Sequence, residues 1–317
     1  MGLNSLLRSG ITNFTKYDNL LAGNLAFGGY GGYFMGGSLT GNALVATVEK
    51  FLFPSDIKTV LATGLSGIRE NLAGYANGQV AGYAAGGQTS SDTATVDKFA
   101  FASDVRTTLG TGLPVATENS ASWANSGVSG YTAGGRRSGS GTNVVFKMAF
   151  SNDTFATTTA MSASSPGGRG FANSGVAGYC TVNNGPTINK FTFTSDTRSN
   201  LAAGLDPARL GGAGFANSGV AGYILGGSIS GTNNASVDKF AFPSDTRSVV
   251  SGGLSVALDD NAGMADVGVA GYSGGGDISN TRQTTVNKFA FPSDTRSVLA
   301  LTTATGKQGA MAHTAGL

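Results

Sequence analysis

KFAFPSDTRSV occupies residues 239 to 249 and recurs letter for letter at residues 288 to 298, 49 residues later. A catalytic motif is normally needed once, so exact repetition points to architecture before chemistry. Aligned on the Lys-Phe pair, the chain also carries KFLFPSDIKTV (50 to 60), KFAFASDVRTT (98 to 108), KMAFSNDTFAT (147 to 157) and KFTFTSDTRSN (190 to 200). The six units start 48, 49, 43, 49 and 49 residues apart. A second anchor keeps the same beat: a Gly-Tyr pair ends at Tyr33, Tyr83, Tyr131, Tyr179, Tyr223 and Tyr272. Five of the six are followed by a double glycine, as in GYAAGG (82 to 87) and GYILGG (222 to 227). A period of this length marks a chain assembled from similar supersecondary units.

Each unit reads as four short strands. In FANSGVAGYILGG (215 to 227), Phe215 and Ala216 lead into a turn at Asn217, Ser218 and Gly219, and Val220 to Leu225 lead out. Asn, Ser and Gly suit such turns because they tolerate left-handed backbone or hydrogen-bond it locally. SVDKFAF (236 to 242) is the third strand, and its period of two sets Asp238, Phe240 and Phe242 on one face, Val237, Lys239 and Ala241 on the other. Pro243, Ser244 and Asp245 break it, and SVVSGGL (248 to 254) is the expected fourth strand.

Composition narrows the class. The 317 residues include 51 glycines, about 16%, where average usage is roughly 7%. Charged residues make up 12% and hydrophobic ones 40%, the opposite of the low-hydrophobicity, high-charge signature of disorder. A net charge of +2, with basic residues spread over the repeats, favours neither nucleic acid nor an anionic membrane surface as partner. Cys180 is the single cysteine, which excludes an intramolecular disulfide and a multi-cysteine zinc site. MGLNSLLRSG (1 to 10) lacks a signal-peptide core, and no apolar run approaches a membrane span.

Four strands in about 48 residues, six times over, predict an all-β fold: a six-bladed β-propeller of four-stranded antiparallel blades, with residues 24 to 317 as one propeller domain and 1 to 23 as a closing or attachment segment. GAMAHTAGL (309 to 317) is similar to NAGMADVGVAGY (261 to 272), an innermost strand, while LRSGITN (7 to 13) falls where an outer strand would precede the first blade. Terminal strands exchanged across the seam would close six blades. A seven-bladed ring lacks sequence for two of its strands.

The double glycine after an aromatic-containing strand, then a second aromatic strand, a turn, a further strand and a Gly-rich lead into the next unit, resembles the kelch pattern over residues 24 to 317. Two departures stand out: the usual Trp of the fourth kelch strand is missing, and the fourth repeat has Val182 and Asn183 in place of the double glycine. The repeats also resemble Gly-rich kelch-like repeats in bacteriophage tail and appendage proteins. That resemblance implies a non-enzymatic virion structural or host-recognition protein on a fibre, spike or capsid surface, extracellular after release. It implies other virion proteins and a cell-surface glycan or protein receptor as partners, and it admits a homo-oligomer. A bacterial surface scaffold or adhesin and a glycan-active enzyme are the alternatives.

In a propeller, the repeated phrase acquires physical roles. Phe240 and Phe242 would insert between blades, each contributing roughly 1.5 to 3 kcal/mol of burial. Asp245 would close the turn by accepting backbone N–H bonds, and Lys239 and Arg247 would pair with it or with a neighbouring blade. An exposed Arg247 would lose less than about 1 kcal/mol on replacement by alanine.

The repeats also disagree, and the disagreement is confined to one end. The first-to-second and third-to-fourth turns, ANSG and PSDT, are nearly constant. The second-to-third loops vary: GQTSSDTATV (87 to 96), GRRSGSGTNV (135 to 144), VNNGPT (182 to 187), GSISGTNNASV (227 to 237) and GDISNTRQTTV (276 to 286). Variable loops on a repeated scaffold are where specificity usually sits. Arg136, Arg137, Asn233, Asn234, Asp277 and Arg282 are the candidate ligand-binding residues, able to hydrogen-bond a polar, sugar-like partner.

Signs of catalysis are sparse. The one histidine, His313, stands five residues from the end, and metal sites of the kind some kelch propellers carry need more histidines. No cofactor or metal is expected, and GFANSGVAG (214 to 222) lacks the Lys-Ser or Lys-Thr of a phosphate loop. Cys180 and Trp123 read as core residues. Asp259 and Asp260 are the pair that a glycosidase would use.

Overall fold

The structure, a computed structural model, describes residues 31–183, 185–300 and 303, together with the backbone of 311–314. The alternation read from each repeat becomes a four-stranded antiparallel sheet, and six such sheets form a β-propeller. In the fifth blade the strands are Ala213–Asn217, Ala221–Leu225, Val237–Ala241 and Thr246–Val249, bonded in that order from axis to rim. The fourth strand begins earlier than expected from SVVSGGL and stops before its glycines. Gly252 and Gly253 adopt φ of 88° and 48°, left-handed values that end a strand.

The seam closes as the terminal similarity predicts. Met311–Thr314 pairs antiparallel with Gly31–Met35, Tyr33 opposite His313, so the last repeat supplies the innermost strand of the first blade. LRSGITN and the segment 1 to 23 lie outside the described residues. No helix among the described residues is long and apolar enough to cross a membrane.

Both anchors of the repeat turn out to fasten blade to blade. A Cβ on Gly130, Gly178, Gly222 or Gly271 would stand 2.0 to 2.3 Å from the ring of Tyr75, Trp123, Phe171 or Phe215, respectively, in the preceding blade. The glycine of these four Gly-Tyr pairs is therefore a seat for a neighbour's ring. The tyrosine points the other way around the ring. Tyr83, Tyr131, Tyr179, Tyr223 and Tyr272 donate at 2.7 to 3.1 Å to Asp153, Asp196, Asp245, Asp294 and Asp56 of the following blade, and Tyr33 donates to Asp104. The lysine of each Lys-Phe pair reaches the same carboxylate: Lys50, Lys98, Lys147, Lys190, Lys239 and Lys288 lie 2.6 to 3.0 Å from those six aspartates. Burial and the adjacent aspartate both hold the Tyr179, Tyr223 and Tyr272 phenols above their ordinary range.

The turn aspartate is thus selected twice. All six adopt φ between 51° and 59°, a left-handed conformation that Asp tolerates better than most residues. Their carboxylates serve the preceding blade's Tyr and Lys, where the sequence pointed to backbone donors. The other constant turn is also consumed: Asn77, Asn125, Asn173 and Asn217 accept, at 2.9 to 3.0 Å, the backbone N–H of Gly127, Gly175, Gly219 and Gly268 in the next blade. Phe51, Phe99, Met148, Phe191, Phe240 and Phe289, the Phe of each Lys-Phe pair or the Met that replaces it, are fully buried between blades. Trp123 and Cys180 are buried too, and burial pushes the Cys180 thiol well above its ordinary range.

Candidate binding face

The second-to-third loops gather at one end of the ring, and three of them fold into miniature hairpins: Arg136–Arg137 with Ser140–Gly141, Ser228–Ile229 with Thr232–Asn233, and Asp277–Ile278 with Thr281–Arg282. Left-handed Ser138, Ser230 and Ser279 at their tips permit these tight turns. Among the described residues the fourth repeat has no such hairpin: Val182 is buried where the first glycine would stand, and Asn183 takes positive φ, at 54°.

The candidate residues divide into two groups. Asn233 Nδ2 donates to the Asp277 carbonyl at 2.6 Å, Arg282 Nη1 to Asp277 Oδ2 at 2.7 Å, and Arg282 Nη2 to Asn42 Oδ1 at 2.7 Å. The loops of blades five, six and one are thereby tied into one continuous polar ridge. Asn234 supports it from within, its Oδ1 accepting the Ser236 N–H at 2.6 Å. Arg136 and Arg137 lie apart from this ridge on blade three. Arg136 is exposed and its backbone pairs with Glu118, while the Arg137 guanidinium lies 5.0 Å over the Phe146 ring, where burial lowers its pKa.

Asn42, on the ridge, was not among the sequence candidates. Its blade-one loop lies beside blade six only after the ring closes. Arg169 was missed for a similar reason. It reaches across the axial mouth from blade four, with Nε to the Gly212 carbonyl at 2.6 Å, Nη1 to Asn119 Oδ1 at 2.9 Å, and Nη2 to Asp260 Oδ1 at 3.0 Å. Below it, glycines keep the axis narrow: a Cβ on Gly170 or Gly214 would come within 2.4 Å of a neighbouring strand's carbonyl oxygen.

Asp259 and Asp260 sit at this mouth. Asp260 pairs with Arg169, and Asp259 Oδ1 accepts the Asp260 N–H at 2.8 Å. Burial, reinforced by the charge of Asp260, pushes the Asp259 carboxyl up from 3.8 to about 6. A group that holds its proton more tightly when folded favours folding less as pH rises between those two values. Asp259→Asn should therefore raise the unfolding free energy by about 1 to 2 kcal/mol at pH 7 and leave it unchanged near pH 3. Urea titrations at the two pH values check this; equal shifts at both would contradict it. No group of three His, Cys, Asp or Glu side chains among the described residues is placed to hold a metal ion.

No protein-family model matches this chain, and no curated protein matches it. Solved structures do. A structure of the protein YjhT superposes with a TM-score of 0.66 at 13% sequence identity, covering 80% of this chain and 91% of that one. Identity that low establishes a shared fold alone.

Proposed function

We propose that this chain is a non-enzymatic recognition and assembly module of a bacteriophage particle, mounted on a fibre, spike or capsid surface. On this reading it engages a partner protein or a cell-surface glycan through its hairpin end. The observation that carries the reading is the division of labour between the two ends. What the repeats share is consumed in fastening blades. What they do not share lies on the hairpin end, as the Asn233–Asp277–Arg282–Asn42 ridge and the separate Arg136. The resemblance of the repeats to those of phage appendage proteins supplies the viral context.

Mass spectrometry of purified virions from the producing host is expected to detect the chain as a stoichiometric component. Its absence from particles, with recovery in the bacterial envelope, would sink the viral reading in favour of a bacterial adhesin. On a glycan array, replacing residues 228–233 with a Gly-Ser stretch should remove hairpin-dependent binding, while Asp245→Asn should retain it in the folded protein. The reverse result would overturn the assignment of the face. A glycan-active enzyme is the second reading, favoured by the raised Asp259 carboxyl at the axial mouth. Polysaccharide turnover that disappears in the Asp259→Ala, Asp260→Ala double variant would establish it.

A further inference from the structure

The outer strands carry a cation at one repeated position, and all but one of these cations have an acceptor within the protein among the described residues. Lys58 pairs with Glu49 at 3.4 Å, Arg106 Nε lies 3.8 Å from Asp97, and Arg247 Nε lies 2.5 Å from Asp238. Arg198 donates to Asn200 Oδ1 at 3.1 Å, and blade three replaces both members with Phe146 and Phe155, in one apolar cluster. Blade six is the exception. There Asn287 stands in place of the acid, fully buried, with its Oδ1 occupied by the Ser255 N–H at 3.0 Å. Asn287 Nδ2, Arg296 Nε and Ser255 Oγ are all buried and without a hydrogen-bond partner. In blade two a carboxylate serves this region: Asp97 accepts from Ser66, Arg69 and Thr108 at 2.7 to 2.9 Å and lies 3.8 Å from Arg106 Nε. In blade six the set has lost its anion.

Arg296 also lines a groove of about 540 Å³ at the rim between blades five and six, within the size range of ligand sites. Ser248, Ser251, Ser293 and Thr295 line it with hydroxyls, and Lys239 is neutralised there by Asp294 at 2.6 Å. The groove therefore carries one uncompensated positive charge among hydrogen-bonding hydroxyls. A guanidinium takes a carboxylate through two parallel bonds, and hydroxyls suit the rest of a sugar ring.

We propose that this groove binds the carboxylate of an acidic sugar in a cell-surface glycan, with Arg296 as its anchor. The proposal rests on the glycan-facing reading above but places a second site at the rim, away from the hairpins. The test is an array of glycans bearing hexuronic or nonulosonic acids beside neutral and sulfated counterparts, probed with the full chain. Wild-type protein should retain carboxylated glycans at least about tenfold over neutral ones, the worth of one charge-assisted hydrogen bond. Arg296→Gln should abolish the preference. Asn287→Asp should abolish it too, because the new carboxylate would engage Arg296 as Asp238 engages Arg247. Loss of the preference in both variants, each keeping the wild-type circular dichroism spectrum, cannot come from misfolding. Arg198→Gln, at the equivalent rim position, should leave binding unchanged. Retention by Arg296→Gln or Asn287→Asp, equal capture of neutral or sulfated glycans, or no capture of carboxylated ones by wild type would overturn the proposal. Loss of hairpin-dependent binding alone would count against the preceding reading and leave this site standing.

Discussion

Arg209→Ala is expected to lower the unfolding free energy by about 3 to 5 kcal/mol, the usual cost of stranding one member of a buried ion pair. The Arg209 and Asp238 side chains are both fully buried, with Nη1 2.6 Å from the carboxylate. Arg209 also donates to the carbonyls of Gly226 at 2.7 Å and Ile224 at 3.1 Å. Its removal leaves Asp238 with Arg247 as its remaining cation and orphans two carbonyls besides. The chain contains its own control. Blade six meets the same position with Leu258 and Asn287, both buried, so the double variant Arg209→Leu, Asp238→Asn should lose less than the single alanine variant. Urea unfolding of the three proteins checks the order. A loss below about 1 kcal/mol for Arg209→Ala would mean that the pair is not desolvated.

Phe240→Ala is the second large effect, also about 3 to 5 kcal/mol, from lost burial plus an unfilled cavity. The ring is fully buried, 5.8 Å from Phe171 of the preceding blade, in a cluster with Tyr179, Ile188 and Leu205. Val249→Ala, on the outer strand and 58% exposed, should cost less than about 0.5 kcal/mol. Arg247→Ala falls between them. An exposed arginine here would lose less than about 1 kcal/mol, but its contact with fully buried Asp238 raises the expectation to about 1 to 2 kcal/mol. Similar losses for Phe240 and Val249 would mean that the two faces of the strands are misassigned.

The fold was legible because its determinants are periodic. The Lys-Phe strand, its alternating faces, the Asp turn and the similarity of GAMAHTAGL to an inner strand all lie within one repeat length. What stayed hidden lies between repeats. Tyr223 and Asp294 are 71 residues apart, and nothing local in either segment shows that one donates to the other. The same holds for Arg282 and Asn42, joined only because the ring closes. Arg69 and Arg209 occur where the next repeat carries Asp97 and Asp238, whereas Leu258 precedes Asn287, so the substitutions come in matched pairs. The fourth strand overlaps SVVSGGL only at Ser248 and Val249, because its glycines, already a weakness for a strand in the sequence, take left-handed backbone.

The hairpin end shows the limit of reading variation as binding. Asn233, Asp277 and Arg282 vary among repeats, yet they are engaged with one another and with Asn42. Variation there builds a joint ridge as well as a surface. Arg296, by contrast, belongs to the nearly constant phrase, and its unpartnered state goes with two neighbours: Asn287 in the adjacent strand and Val298 opposite it, where blade four, with Asn189 at the first position, offers Asn200 Oδ1 to Arg198.

The central claim is that the repeated phrase exists to bind each blade to the next. A double-mutant cycle across blades four and five tests it most directly, using Tyr179→Phe and Asp245→Asn, whose side chains meet at 2.9 Å. Unfolding free energies in urea should reveal a coupling of about 0.5 to 3 kcal/mol between the two positions. Strictly additive losses would contradict the claim and return the phrase to the search for another role.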